Sequence, residues 1–165
     1  ITSVSLTPID VHLMVNNPKE HLDYFIDLGV NRITFHYEAC SNKDEIISIA
    51  KYLNENRVRV GIAVNPDTKI EEIFDVLPYI HMVLVMSVVP GKGGQKFIPE
   101  TLDKVELLRK YCEENDLDMD IEVDGGINDE TGKHAVDAGA NILVSGNYVL
   151  TADDYKEAIN KLKKI

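Results

Sequence analysis

Short apolar runs alternate with amphipathic stretches along the chain, and the alternation repeats from end to end. The runs Ile9–Val15, Arg32–His36, Val58–Val64, Met82–Ser87, Asp120–Asp124 and Ile142–Ser145 are rich in β-branched residues and too short for helices, so each predicts a strand. Between them the spacing predicts helices near residues 18–28, 43–55, 69–77, 98–115, 129–138 and 152–163. The boundary signals agree. Asn17 before Pro18 predicts a capping amide ahead of a first-turn proline, and Asn128 precedes the acidic pair Asp129 and Glu130. Gly29 and Gly139 fall just past helical patterns, where a left-handed residue is wanted. No linker or low-complexity segment interrupts the series, which predicts a single domain over residues 1–165.

Strand–helix units with near-continuous apolar strands mean a parallel sheet covered by helices. Such a sheet is either open and doubly wound or closed into a barrel. The strand ends favour the barrel: His12 and Met14, His36 and Glu38, Asn65, Ser87, Asp124, and Gly146 with Asn147 all fall at carboxyl ends. A barrel gathers its site from all its strand ends, whereas an open sheet uses only those beside its switch point. Six units in 165 residues leave the barrel short, since eight units take roughly 220 residues. About two units are expected to be missing, and the chain starts at Ile1 and not at Met. "ITSVSLTP" reads as the tail of a preceding helix and its loop.

Composition narrows the function classes. With 44% hydrophobic and 27% charged residues the chain reads as an ordinary globular protein. No apolar run approaches the roughly 20 residues of a membrane span, and no secretory signal pattern is present. A net charge of −11 argues against a nucleic-acid backbone as partner. It leaves room for a small phosphate, because backbone N–H groups make a site locally positive. Cys40 and Cys112, in unrelated contexts, read as free thiols of a reducing, cytoplasmic compartment.

The chemistry-bearing residues follow. "PGKGGQKF" places Gly91, Gly93 and Gly94 between a strand and a long helix, where glycines reach positive φ and wrap an anion. Gly125-Gly126 and Gly146 sit in equivalent loops after the last two strands, where barrels frequently bind phosphate. Alone, each cluster also fits a plain tight turn. In "DIEVD" the alternation puts Asp120, Glu122 and Asp124 on one face, so a closed barrel turns Glu122 and Asp124 inward. An acid there loses water and gains proton affinity unless paired or metal-bound, which suits a ligand or a proton donor. Its structural alternative is a helix cap or a loop hydrogen bond. His12 shares its strand face with Asp10 and Met14. Alone it reads as a satisfied core residue; with Asp124 at the same rim it points to a divalent-metal site. Two ligands are too few, so others must come from elsewhere. His36, with Glu38 as orienting partner, reads as structural or as a substrate edge, while His21, His81 and His134 read as surface residues.

At this point "IDVHLMV", "FHYEA", "GIAVNPDT", "VLVMSVVPGKGGQKFIPETLDKVELLRK", "IEVDGGIN" and "AGANILVSGNYVL" become informative together. In this order the chain resembles the ribulose-phosphate 3-epimerases over essentially its whole length. The resemblance implies a (β/α)8 TIM barrel of the ribulose-phosphate-binding type, of which about six units are present. It also implies the interconversion of ribulose 5-phosphate and xylulose 5-phosphate in the pentose phosphate pathway, with a bound divalent cation (Zn, Fe, Mn or Co). Asp124 matches a catalytic carboxylate and, with His12, two of the metal ligands. Met14 and Met86 match methionines lining the reacting centre. Gly91, Lys92, Gly93, Gly94, the Asp124–Gly125–Gly126 turn, Gly146 and Asn147 match the substrate and phosphate loops.

Three departures stand out. The family's first two strands, with a serine, two metal ligands and the second catalytic aspartate, have no counterpart here. Asn147 replaces the usual serine after Gly146, and its amide still donates to phosphate. Val89 and Lys92 stand where a polar residue and a phenylalanine are commoner; Lys92 either adds charge near the phosphate or faces solvent. The partners implied are a small phosphosugar and further copies of the chain, with neither nucleic acid nor membrane. Two alternatives remain: an inactive phosphosugar-binding homologue, and an epimerase of a hexulose 6-phosphate such as allulose 6-phosphate. A chain of only 18.5 kDa without the second aspartate is expected to turn over negligibly.

Overall fold

The computed structural model of the chain describes residues 4–165. Its sheet runs in the order β1 (Asp10–Leu13), β2 (Arg32–His36), β3 (Arg59–Val64), β4 (Met82–Met86), β5 (Asp120–Asp124) and β6 (Ile142–Val144), and every neighbouring pair is parallel. The continuous apolar runs form the middle of this sheet because both of their faces are covered: all five residues of β4 are buried.

The sheet is curled. Strands β1 and β5 lie four places apart, which in a flat sheet means about 19 Å. Yet His12 of β1 and Asp124 of β5 approach to 3.8 Å, and Arg32 of β2 reaches Asp120 of β5 at 2.8 Å. The concave face therefore encloses an interior, as the barrel reading expects. Among the described residues β1 and β6 are each paired on one side only.

Helices α1 (Leu22–Asp27), α2 (Lys43–Glu55), α3 (Leu102–Glu114), α4 (Asp129–Asp137), α5 (Asn147–Leu150) and α6 (Tyr155–Leu162) lie outside the curl or at its rim. Helix α2 shows why the amphipathic runs fold as they do. Ile46, Ile49, Ala50 and Leu53 recur at helical spacing and are buried, and Asn42 caps the first turn by accepting the Glu45 N–H at 2.9 Å. Each of the larger side chains contributes about 2 kcal/mol by leaving water. The outer core joins them to Ile33, Phe35, Val83, Val85, Val105 and Leu108. A smaller inner cluster of Ala63, Met82, Leu84, Met86 and Val88 fills the interior.

Local chemistry corrects several boundaries. Segment 18–28 divides into a 3-10 turn, Pro18–His21, and the short α1. Asn17 does not cap it; its side-chain amide donates to Glu20 Oε1 at 2.7 Å and its oxygen accepts nothing from the turn. The segment expected at 69–77 is a 3-10 stretch, Ile70–Tyr79, containing Pro78, which lacks an N–H and keeps Leu77 from ordinary α geometry. At the N-terminal end of α3 a 3-10 turn, Pro99–Thr101, takes up the expected start. Strand β1 is shorter than expected, at an edge with one partner, and α5 was not anticipated. Asn128 caps α4 as expected, in a reciprocal pair with Thr131, and Gly29 and Gly139 adopt φ of 72° and 114°.

Candidate functional site

The rim at the carboxyl ends of the strands holds two adjoining groups of residues. The first is a polar cluster. His12 points its Nδ1 at Asp124 Oδ2, 3.8 Å away, and its Nε2 meets His36 Nε2 at 2.9 Å, the two rings lying 5.0 Å apart and nearly parallel. His36 Nδ1 in turn faces Glu38 Oε2 at 3.4 Å. Glu38 is anchored from the other side by the Asn65 N–H at 2.8 Å and by the Thr68 hydroxyl. Burial alone would raise the Glu38 pKa, but the hydrogen bonds from His36, Thr68 and Asn65 outweigh it and bring the carboxyl down to about 2. The loop carrying Asn65 and Thr68 is held by Lys104 of α3, whose ammonium donates to the carbonyls of Asn65, Pro66 and Thr68 at 2.8, 2.6 and 2.5 Å.

The second group is a cleft of about 600 Å³ opening from Asp124. Its walls include Met14, Met86, Gly91, Lys92, Gly93, Gly94, Gly125, Gly126, Gly146 and Asn147, so nearly all the residues singled out from sequence converge there. His12 is the exception; it is not a wall of the cleft and meets it only through Asp124. Met86 is buried directly across the β4–β5 ladder from Asp124, while Met14, just past β1, is half exposed.

The glycine pair after Asp124 has a steric reason. Gly126 has φ of 63°, and a Cβ there would sit 2.6 Å from the backbone nitrogen of Phe97. Gly125, at φ 127°, would meet Val88 N at 2.9 Å. The bare turn thus lets the loop after β4 lie directly on the loop after β5. Ser87 locks the two together: its hydroxyl donates to the carbonyls of Gly125 and Asp124 at 2.7 and 3.0 Å, and its own carbonyl accepts the Ile98 N–H at 2.8 Å. Gln95 staples the outer loop by donating to the carbonyls of Val89 and Lys92, both at 2.6 Å. Gly91 and Gly94 adopt positive φ as expected, whereas Gly93 does not. Lys92 and Asn147 are exposed at the cleft mouth.

One layer below the rim, Glu122 is buried, and burial, reinforced by Asp10 and only partly offset by Arg32, pushes its pKa up to about 7. Its inward direction matches the alternation read from "DIEVD". His81 departs from the surface role expected of it: half-buried, it accepts the Val60 N–H at Nδ1, 3.1 Å away. His21 and His134 are exposed, and Cys40 and Cys112 are free thiols. The residues missed from sequence were Ser87 as a lock, Gln95 as a staple and Lys104 as a clamp. Only Ser87 carried a signal, as a hydroxyl at a strand end.

Among the described residues no group of three or more histidine, cysteine, aspartate or glutamate side chains is arranged to hold a metal. His12 and Asp124 form a nitrogen–oxygen donor pair beside the cleft whose separation suits two adjacent positions around one ion. No helix among these residues is long and apolar enough to cross a membrane.

The curled parallel sheet, with its polar residues and glycine loops at the strand carboxyl ends, defines an α/β protein of the TIM-barrel class. Among solved structures, the 3-hexulose-6-phosphate synthase from Salmonella typhimurium matches it with a TM-score of 0.70 at 18% identity, over 96% of this chain and 72% of that one. The family model for the ribulose-phosphate 3 epimerase family matches residues 1–150. The chain is 42% identical over 154 residues to the ribulose-phosphate 3-epimerase of Eremothecium gossypii, covering 93% of this chain and 62% of that protein. It is 39% identical over 164 residues to the enzyme of the same name from Mycobacterium bovis, covering 99% and 70%. The chain belongs to the ribulose-phosphate 3-epimerase family.

Proposed function

We propose that the protein acts in the epimerisation of a ketopentose phosphate at C3, converting D-ribulose 5-phosphate to D-xylulose 5-phosphate. The observation that carries this reading is the position of Asp124. Its carboxylate stands where the His12–His36 cluster meets the cleft, and the turn that follows it is bare backbone. The names of the relatives support the same reading.

In this reading the sugar phosphate lies in the cleft. Backbone N–H groups of the Gly91–Gly94 loop, the Gly125-Gly126 turn and the Gly146-Asn147 segment receive the phosphate, and Lys92 adds positive charge at the mouth. The C3 carbon then faces Asp124. A C–H beside a ketone is acidified because the electron pair left behind spreads onto the carbonyl, so a carboxylate in contact removes the proton from one face. Inversion needs a proton returned to the opposite face, by an acid that the family resemblance assigns to a strand ahead of β1. Met86 and Met14 present apolar surface beside Asp124 and exclude water from the proton being moved.

His12 and Asp124 would hold a divalent cation, Zn, Fe, Mn or Co, which when bound supplies Lewis-acid stabilisation of the negative charge building on the sugar oxygens. The reading places the protein in cytoplasmic pentose phosphate metabolism. Incubation with ribulose 5-phosphate in D2O, with and without Mn2+, Fe2+, Co2+ or Zn2+, tests it. Deuterium at C3 is the expected result, because Asp124 alone can remove and return the proton on one face even where net inversion is negligible. Sugar recovered unlabelled under every cation would overturn it.

A further inference from the structure

We infer that Glu38 and His36 are positioning residues that fix the ring polarity of His12, leaving its Nδ1 unprotonated and aimed at Asp124. The inference rests on the proposed role of His12 as a cation ligand, and it is carried by the direction of three successive contacts.

Each contact dictates the next. An ionised carboxylate only accepts hydrogen bonds, so the hydrogen between Glu38 Oε2 and His36 Nδ1 belongs to the ring nitrogen. A neutral His36 with its hydrogen on Nδ1 has a bare Nε2, which can only accept. The atom facing it at 2.9 Å, His12 Nε2, must therefore donate. A neutral His12 with its hydrogen on Nε2 keeps a lone pair on Nδ1. That nitrogen is 3.8 Å from Asp124 Oδ2, beyond hydrogen-bond reach, so the carboxylate does not compete to place a proton on it. The lone pair and the carboxylate oxygen then face a common point, which is what a cation shared between them needs.

The far end of the chain is built to keep Glu38 an acceptor. Its Oε1 receives the Asn65 N–H and the Thr68 hydroxyl, and hydrogen bonds hold its pKa at about 2, so it stays ionised over the working pH range. Lys104 fixes the loop that makes those contacts. His36 is itself buried, which limits the water that could otherwise exchange for either partner.

The Glu38→Gln substitution gives a test that simple loss of structure cannot imitate. The glutamine oxygen takes the place of Oε1, where Asn65 and Thr68 donate, and its NH2 then faces His36 as a donor. His36 must accept at Nδ1, carry its hydrogen on Nε2 and donate to His12, whose hydrogen moves to Nδ1. Ring 15N–1H correlation spectra of the metal-free protein at about pH 8, above the ordinary imidazole range, read both tautomers directly. The expected result is His12 as the Nε2–H form in wild type and as the Nδ1–H form in E38Q, with Co2+ affinity falling about 10–100-fold in the variant. His12 as the Nδ1–H form in wild type, or unchanged tautomers in a folded E38Q, would overturn the inference. Absence of Co2+ binding by wild type would instead sink the cation role proposed for His12, while the tautomers alone still decide the ring polarity.

Discussion

At the two ends of the barrel interior similar side chains stand in different company. At the floor, Arg32 lies between Asp10 at 3.2 Å and Asp120 at 2.8 Å, with Arg59 adding a second contact to Asp120 at 3.4 Å. Acids and guanidinium groups there are neutralised within the protein. At the rim, Asp124 has no arginine or lysine within ion-pairing distance among the described residues, and its closest charged or titratable contact is the His12 ring. The floor closes its charges on one another; the rim leaves a carboxylate and an imidazole facing a cleft. Polar groups inside a barrel are costly to bury unless they are paired. The floor is therefore read as structure, and the rim as chemistry.

The contrast can be broken most forcefully at the floor. Arg32→Leu leaves Asp10 without a cation and Asp120 with Arg59 alone, and should cost about 3 kcal/mol in a urea titration. A loss near zero would mean that the ion pairs of the floor carry no structural duty. The next largest effect is expected where rim loops meet. Gly126→Ala puts a Cβ against the Phe97 backbone at a left-handed φ, and should cost about 2–3 kcal/mol. Gly93→Ala, with no positive φ and no neighbour within 4 Å, should stay within about 0.5 kcal/mol. Equal effects at the two glycines would remove the steric account of the bare turn.

A smaller effect separates the rim acid Glu38 by pH. Its folded pKa of about 2 lies below its ordinary value of 4.5, so its stabilisation is complete above about pH 4.5 and is lost as pH falls toward 2. Wild type should lose on the order of 2 kcal/mol over that window that E38Q does not lose. Urea midpoints measured at several pH values check this, and parallel curves for the two proteins would contradict it.

Much of the architecture could be read in advance because it depends on local pattern. The β4 run MVLVM is apolar at every position and is buried on both faces, and Asn128 caps α4 with residues only three apart. What escaped depends on the curl. Nothing near Arg32 in sequence announces Asp120, and nothing near Lys104 announces the carbonyls of residues 65–68 that it clamps. Asn17 shows a local rule that does not hold: its side chain makes no cap, and its amide donates to Glu20. At the site, Asp124 and the glycine loops were legible because acid and glycine after an apolar strand is an unusual pattern. The His12–His36 contact was not, because it requires side chains of β1 and β2 to lean toward each other across the concave face.

The most direct test of the division between floor and rim is Asp124→Asn, followed by C3 deuterium exchange of ribulose 5-phosphate and by urea unfolding of the same samples. The account expects exchange to fall by about 10²–10⁴-fold while stability moves by no more than about 0.5 kcal/mol. Undiminished exchange in D124N would contradict it, as would a stability loss as large as that of Arg32→Leu.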